Sequence, residues 1–240
     1  MKNKVLRYLK YQSFRPNLFS IFINPFYLIR RELYTHIRSF SPHLQGKLLD
    51  FGCGRKPYET LFAVKEYIGL DMQQTGHDHN NSKIDVFYDG KHIPFPDECF
   101  DSLFCSEVFE HVFNIDEVLP EINRVLKKGA QVLITVPFCW NEHEVPFDNV
   151  RYSSFGIKYQ LEKNGFRILK QEKSGNFVQV CFQLWSLYFF ELFRKFNRIG
   201  YVVSLFFILP INVVGFILSS ILPKNHTLFF NNIVLAEKVG

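Results

Sequence analysis

Between residues 46 and 138, short apolar runs alternate with more polar stretches. The runs are Leu48–Phe51, Tyr67–Asp71, Ile84–Tyr88, Cys99–Ser106 and Gln131–Pro137. Runs this short, apolar nearly throughout and set off by glycine, proline or polar residues, read as strands buried on both faces. Their alternation with helical stretches predicts an α/β fold with a mostly parallel sheet and helices on both of its faces. A further helix is expected over Ser154–Gly165, capped by Ser153 or Ser154, with apolar Phe155, Ile157, Tyr159 and Leu161 and a closing Gly165. Phe166–Leu169 starts a sixth strand, and Leu228–Ala236 reads as the last.

The two remaining stretches are greasy. Residues 1–45 place Lys2, Lys4, Arg7, Lys10 and Arg15 ahead of an apolar run from Leu18 to Ile29. Pro25 interrupts that run, Arg30 and Arg31 follow it, and no small-residue cleavage site appears, so a signal peptide is not expected. Helices over the mouth of a ligand site, an element on a membrane surface, and a helix packed on the core all fit it. Later, Phe182–Phe196 is rich in aromatics and Gly200–Leu222 carries no charge. The second is long enough to cross a bilayer, which takes about 20 residues. Pro210 and Asn212 in its middle also allow two half-helices lying in the interface. A full crossing is awkward, because the last strand must return to the same sheet. Membrane attachment in the plane is the favoured expectation; a pocket wall or dimer face is the other. The organisation read from this is an N-terminal cap (1–45), a core (46–176), a hydrophobic helical insertion (177–227) and the final core strand (228–240).

Composition narrows the partners. The 240 residues are 47% hydrophobic and 17% aromatic, with 28 Phe, enough for a sizeable core. The net charge of +5 is modest, and no dense Lys/Arg tract with a reading motif occurs, so nucleic acid is not expected as a partner. The five cysteines show no Cys-x-x-Cys spacing and read as reduced thiols of a cytoplasmic protein. No metal-ligand set is expected.

The stretch Leu48-Leu49-Asp50-Phe51-Gly52-Cys53-Gly54 ends a buried strand in two glycines one residue apart. Without a Cβ, Gly52 and Gly54 let a ligand approach the main chain. A helix is expected to follow through Tyr58–Phe62, with its first amides facing that ligand. Asp71 closes the second strand about 20 residues later, where a nucleoside-binding βαβ unit places the acid for its ribose. Pro57 stands where a dinucleotide fingerprint wants its third glycine. That argues against a nicotinamide or flavin site. Gly52, Asp71, Asp89 and Ser106 all fall at the carboxyl ends of strands, where ligands bind in such sheets.

These residues resemble the nucleotide site of class I methyltransferases that use S-adenosylmethionine, of the type 11 domain. The resemblance extends over Asp89–Asp101, similar to the family's adenine-side loop and the lead into its fourth strand. It includes Asn123–Ala130, similar to the turn before its fifth, and covers roughly residues 45–172 plus the last ten. It implies a Rossmann-like sheet whose last strand is antiparallel, here preceded by the hydrophobic insertion. It implies S-adenosyl-L-methionine as cofactor, held by Asp50, Gly52, Cys53, Gly54, Asp71, Met72, Asp89, Gly90 and Ser106. Asp89 alternatively only forms a turn with Gly90, and Asp101 is expected to orient the fourth strand.

The loop of residues 138–156 leaves the fifth strand and is too polar for a mere connection. His143, Glu142, Asp148 and, earlier in the chain, His111 are the candidate general bases, with His143 first. Glu107 and Glu110 read as suiting a helix start. Asp148-Asn149-Val150-Arg151-Tyr152 resembles, more loosely, a loop of relatives associated with surface-glycan synthesis. The expected acceptor is therefore a small molecule or glycolipid, a sugar intermediate of surface polysaccharide synthesis. An isoprenoid or quinone-like lipid, and a non-catalytic nucleotide-binding protein at a membrane, are the rivals. The expected location is cytoplasmic, peripheral on the inner face of the membrane.

Overall fold

The structure, a computed structural model, describes residues 11–73 and 83–239. The basic residues Lys2, Lys4, Arg7 and Lys10 lie outside the described residues. Two compact units form: residues 37–172 with 231–240, and residues 1–36 with 173–230.

The first of these units is built on a seven-stranded sheet of order β3-β2-β1-β4-β5-β7-β6. Its strands are β1 (Lys47–Phe51), β2 (Glu66–Met72), β3 (Val86–Tyr88), β4 (Phe100–Ser106), β5 (Leu126–Pro137), β6 (Phe166–Ser174) and β7 (Asn231–Lys238). Strands β1 to β5 pair in parallel, and β7 lies antiparallel against β5 with Pro137 opposite Asn231. Strand β1 sits between β2 and β4, and its residues from Leu48 to Phe51 are all buried. This is the mostly parallel sheet with an antiparallel last strand that the apolar runs and the resemblance predicted. A parallel neighbour must be reached by a crossover, so all five β1–β5 carboxyl ends gather on one edge.

The first helix in the chain is α1 (Tyr27–Phe40). Helix α2 (Ile115–Val125) buries Val118, Leu119, Ile122 and Val125, a single stripe of a 3.6-residue period. Its last turn is closed by Lys238, whose buried ammonium donates to the carbonyls of Asn123 (2.9 Å) and Leu126 (2.8 Å). Helix α3 (Ser154–Lys163) starts at Ser153, whose hydroxyl accepts from the Gly156 amide at 3.1 Å.

Two expectations are corrected. No α-helix follows the glycines: only one 3₁₀ turn, Glu59–Leu61, forms before β2. Lys56 is left-handed (φ +50°) and Pro57 comes next, which bars the α conformation just before it. The space a helix would fill is taken by aromatic packing, Phe62 on Phe104 at 4.8 Å and Tyr58 on Phe104 at 6.0 Å between ring centres. Nor does a helix begin at Glu107–His111. Those residues turn irregularly, and α2 starts at Ile115.

The other unit carries α4 (Phe177–Arg194) and α5 (Asn197–Ile221). Asn176 and Gln179 cap α4 reciprocally, each side chain accepting from the other's amide at 3.1 and 3.0 Å. Helix α5 runs through Pro210 unbroken, not as two half-helices. Asn212 explains part of this. It is fully buried, donates to the carbonyls of Ile21 (3.2 Å) and Asn24 (3.1 Å), and accepts from the Ser186 hydroxyl at 2.9 Å. Such a pinned amide holds the helix in place beside the one hydrogen bond that proline removes. From Ile199 to Ile221 the helix has a mean hydropathy of 2.4, yet only 28% of its most apolar window is buried. Phe206, Ile199 and Ile221 stand 70–76% exposed.

Asn212→Leu should lower the unfolding free energy by about 2 kcal/mol. It strands two buried carbonyls and a hydroxyl, and each unmade bond of this kind costs about 1–3 kcal/mol. Urea unfolding of the variant checks this; an unchanged midpoint would show that the network carries no stability.

Candidate active site

The chain leaves β1 at Gly52 (φ +73°) and Gly54 (φ +49°). The two glycines do different work. A Cβ on Gly52 would come within 2.3 Å of Val108 Cγ2, so this position has to be bare for packing. A Cβ on Gly54 would meet nothing within 4 Å, so its main chain borders open space. The Asp71 carboxylate, at the end of β2, accepts from the Gly54 amide at 2.7 Å and from the Met72 amide at 2.8 Å. It thereby joins the loop to the neighbouring strand tip.

Beneath this loop lies a polar layer. Asp50 is buried at 3% exposure and accepts from the Tyr67 hydroxyl at 2.7 Å. Burial pushes its carboxyl up to about 7, against the Tyr67 bond and the Lys56 charge, which pull it down. Burial likewise pushes up the Cys53 thiol, so Cys53 is an inert packing residue rather than a nucleophile. Lys56, itself buried, pairs with Asp85, which also accepts from the Gly69 amide at 2.6 Å. Gly69 is bare because a Cβ there would strike the Lys56 side chain at 2.4 Å. Asp89 forms the Asp-Gly turn: its Oδ1 accepts from the amides of Lys91 and His92, both at 2.8 Å. Those amides hold its carboxyl below the usual range. Asp101 orients β1 against β4, accepting from the Lys47 amide at 2.7 Å.

A second cluster stands at the carboxyl ends of β4 and β5. The Ser106 and Thr135 hydroxyls meet at 2.9 Å, and Thr135 donates to Glu107 at 2.8 Å. Asn231, at the start of β7, donates to the other Glu107 oxygen at 2.6 Å. Glu107 has left-handed backbone (φ +56°), a strained state for glutamate that active sites tend to hold. Glu110 is fully buried, and burial followed by the Glu107 charge push its carboxyl well above the ordinary range. The rings of His111 and His143 meet edge to face at 4.9 Å. His143 is locked by Asp148, which accepts from its amide at 2.9 Å and lies 3.2 Å from its Nδ1. Arg151 grips both Asp148 oxygens at 2.6 Å. Burial works against the Asp148 charge, but the Arg151 and His143 donors hold it down at about 2. Burial lowers the His143 imidazole, with Asp148 opposing, so the ring is neutral near pH 7.

Of the candidate bases, His143, His111 and Asp148 are brought together. Glu142 is not: it is exposed on the loop, and among the described bonds only its carbonyl is used, by Asn141. Gly52, Gly54, Asp71 and Met72 share the turn at the β1 and β2 ends; Asp50 and Cys53 lie below it; Asp89 and Gly90 form the turn after β3; Ser106 belongs to the second cluster. Glu110, Glu144, Arg151, Lys56 and Asn231 were not singled out as site residues. Glu110 read as a helix-start acid, and nothing in the local pattern shows that the helix starts five residues later. Arg151 lay in plain view three residues from Asp148, the spacing of its ion pair.

Residues 49–134 match the family described as the methyltransferase domain. That span holds both glycines, Asp71, Asp89 and Glu107–His111. An uncharacterised protein of Methanocaldococcus jannaschii is 30% identical over 115 residues, 45% of this chain and 48% of its own length. The chain spans about half the length of the curated relatives it matches. Among solved structures, the [4+2]-cyclase SpnF resembles it with a TM-score of 0.58 at 18% identity, covering 97% of this chain and 96% of that one. Phosphoethanolamine N-methyltransferase 2 of Haemonchus contortus, in complex with S-adenosyl-L-methionine, does so with 0.54 at 19%, covering 92% and 55%. At these identities the structural likeness carries the fold alone. The fold and the glycine–acid turn are those of the Rossmann-like class I group. Residues 49–134 thus match the methyltransferase domain, on a sheet with the Rossmann-like fold of the class I S-adenosylmethionine-dependent methyltransferases.

The Asp50 proton gives a pH test. An exposed aspartate releases its proton near 3.8, whereas Asp50 holds it to about 7. Between these values the folded chain binds more protons than the unfolded chain, so this group's contribution to stability falls as pH rises, by about 4 kcal/mol in all. Relative to Asp50→Asn, wild type should lose unfolding free energy between about pH 4.5 and about pH 7.5 in urea titrations. A constant difference would place that proton elsewhere.

Proposed function

We propose that this protein methylates a hydroxyl of a sugar or glycolipid intermediate of surface polysaccharide synthesis, using S-adenosyl-L-methionine, at the cytoplasmic face of a membrane. The observation that carries the reading is the second cluster. A polar cluster of Glu107, Thr135, His111 and His143 at the strand ends suits a hydroxylated acceptor better than a purely apolar one. The glycine turn fits the donor, since the Gly54 main chain borders open space and Asp71 stands at the neighbouring tip.

When bound, S-adenosylmethionine supplies a sulfonium-activated methyl carbon: the acceptor oxygen's lone pair makes the new C–O bond while the C–S pair goes to sulfur, leaving S-adenosylhomocysteine. The chain's part is to hold two reactants in line and to take one proton. Asp71 and the bare turn at residues 52–54 hold the nucleoside end, with Asp89 and Gly90 at the turn after β3. His143 takes the hydroxyl proton. Asp148, pinned by Arg151, keeps the His143 Nδ1 proton in place and leaves Nε2 as the basic atom. His111 and the Ser106–Thr135 pair shape the acceptor side.

Attachment to the membrane rests on α5, whose apolar surface is mostly uncovered. An in-plane helix accounts for it without a crossing.

Asp71→Ala should weaken donor binding at least tenfold by calorimetry, with the fold intact by circular dichroism. His143→Ala should lower kcat by roughly 10²–10⁴-fold, the usual contribution of a general base, with little change in donor affinity. Near-full turnover would remove His143 from the mechanism. Incubation with methyl-labelled donor and a membrane lipid extract should put label into a polar glycolipid. Label in the quinone fraction would overturn the acceptor; donor binding without any transfer would overturn catalysis. The chain should sediment with membranes and be released by carbonate; recovery only in the soluble fraction would overturn attachment.

A further inference from the structure

The cluster around Glu110 holds more buried, unpartnered ligand atoms than a simple base requires. Glu110 is 0% exposed, and among the described residues neither of its carboxylate oxygens has a hydrogen-bond donor. A buried carboxyl left this way is costly unless a cation or a proton compensates it. Arg151 does so only in part: its charge acts on Glu110, but its terminal nitrogens donate to Asp148 and to the carbonyls of Val150 and Asn141. What faces Glu110 is His111, its Nε2 3.7 Å from Oε1, buried and also without a hydrogen-bond partner. Glu144 reaches the same nitrogen at 3.8 Å. One donor atom each from Glu110, His111 and His143 lie within 4.8 Å of one another. Donors around a tetrahedral ion with bonds of about 2.1 Å stand about 3.4 Å apart, so a shift of up to about 0.7 Å at each would close the set.

The outer partners point the same way. His111 Nδ1 lies 3.1 Å from the Phe147 carbonyl, and His143 Nδ1 lies 3.2 Å from Asp148 and 3.3 Å from the Asn141 carbonyl. Oxygen acceptors on Nδ1 place the proton there in both rings and leave both Nε2 atoms as lone-pair donors. Metal-binding histidines carry this arrangement.

We propose that Glu110, His111 and His143 bind one divalent transition-metal ion, with Glu144 beside it and a position left for an acceptor oxygen. Two imidazoles with carboxylates suit Mn²⁺, Fe²⁺ or Zn²⁺ better than Mg²⁺ or Ca²⁺, which take oxygen ligands. This replaces the expectation of a metal-free site. The binding site stands on the cluster alone; its role rests on the methyl-transfer reading. With the ion bound, His143 is a ligand and no longer the general base: its lone pair goes to the ion. The acceptor hydroxyl, bound to the ion, gives its proton to solvent and its lone pair to the methyl carbon, with no change of oxidation state.

The test is metal analysis of the purified chain, followed by removal with a chelator and titration with Mn²⁺ and Zn²⁺. Donor calorimetry is run on the same preparation. One equivalent of ion per chain is expected, with a rise in Tm on adding it back. His143→Ala, on a partly exposed loop, and Glu110→Gln should each weaken ion affinity at least tenfold, and the Tm rise should vanish in His143→Ala. Folded wild type that takes up donor but neither ion, or a His143→Ala variant that binds the ion as tightly as wild type, overturns the metal site. Ion uptake without donor uptake leaves the metal site standing and overturns the methyltransferase reading instead.

Discussion

Strand β1 is enclosed by a strand on each side, and it ends with a carboxyl group inside the core. Everything at the donor end depends on how that group is accommodated. Asp50 keeps its proton to about 7 and takes the Tyr67 hydroxyl from the neighbouring strand. The Gly52 and Cys53 amides donate to the Leu70 carbonyl at 2.8 and 3.1 Å, so the turn stays tied to β2 as it leaves the sheet. Lys56 and Asp85 close the layer from below. A turn held this firmly has no need of a helix behind it, and none forms. The amides available to a ligand are therefore those of the turn itself, not of a helix start.

The two clusters treat negative charge in opposite ways. Asp148 is paired twice by Arg151 and stays ionised down to about 2. Glu110, in the same loop–strand junction, has no such partner, and its carboxyl is pushed up by burial and by Glu107. The main chain links them: the Asn149 and Val150 amides donate to the Glu110 carbonyl at 2.8 and 3.2 Å. The polar loop is thus stitched onto the segment after β4. A charge pinned by an arginine serves to orient, whereas a buried carboxyl beside two imidazoles serves to bind or to exchange a proton.

In the unit of residues 1–36 and 173–230, buried amides perform the specifying role. Gln183 donates to the Pro25 carbonyl at 2.8 Å and accepts from the Ile29 amide at 3.2 Å, while Asn212 ties three further groups. Apolar contact is non-directional, and an aromatic-rich helix pair could slide in register. Amide bonds at fixed points prevent that. Much of the apolar surface of α5 remains exposed.

Periodicity and turn residues alone determined the order of strands, the place of the two glycines and the acid at residue 71, because a parallel sheet leaves its mark in short apolar runs and in the residues that end them. They also marked the polar loop after β5 and its histidine. They could not show that the helix after Gly54 is missing, since one left-handed residue before a proline redirects a chain whose local composition still permits a turn of helix. They could not place Glu110 either. A carboxylate five residues before a helix and one fully inside a core look identical along the chain; only the packing of β4, β5 and the loop of residues 138–153 around it removes its water and sets two imidazoles at its side.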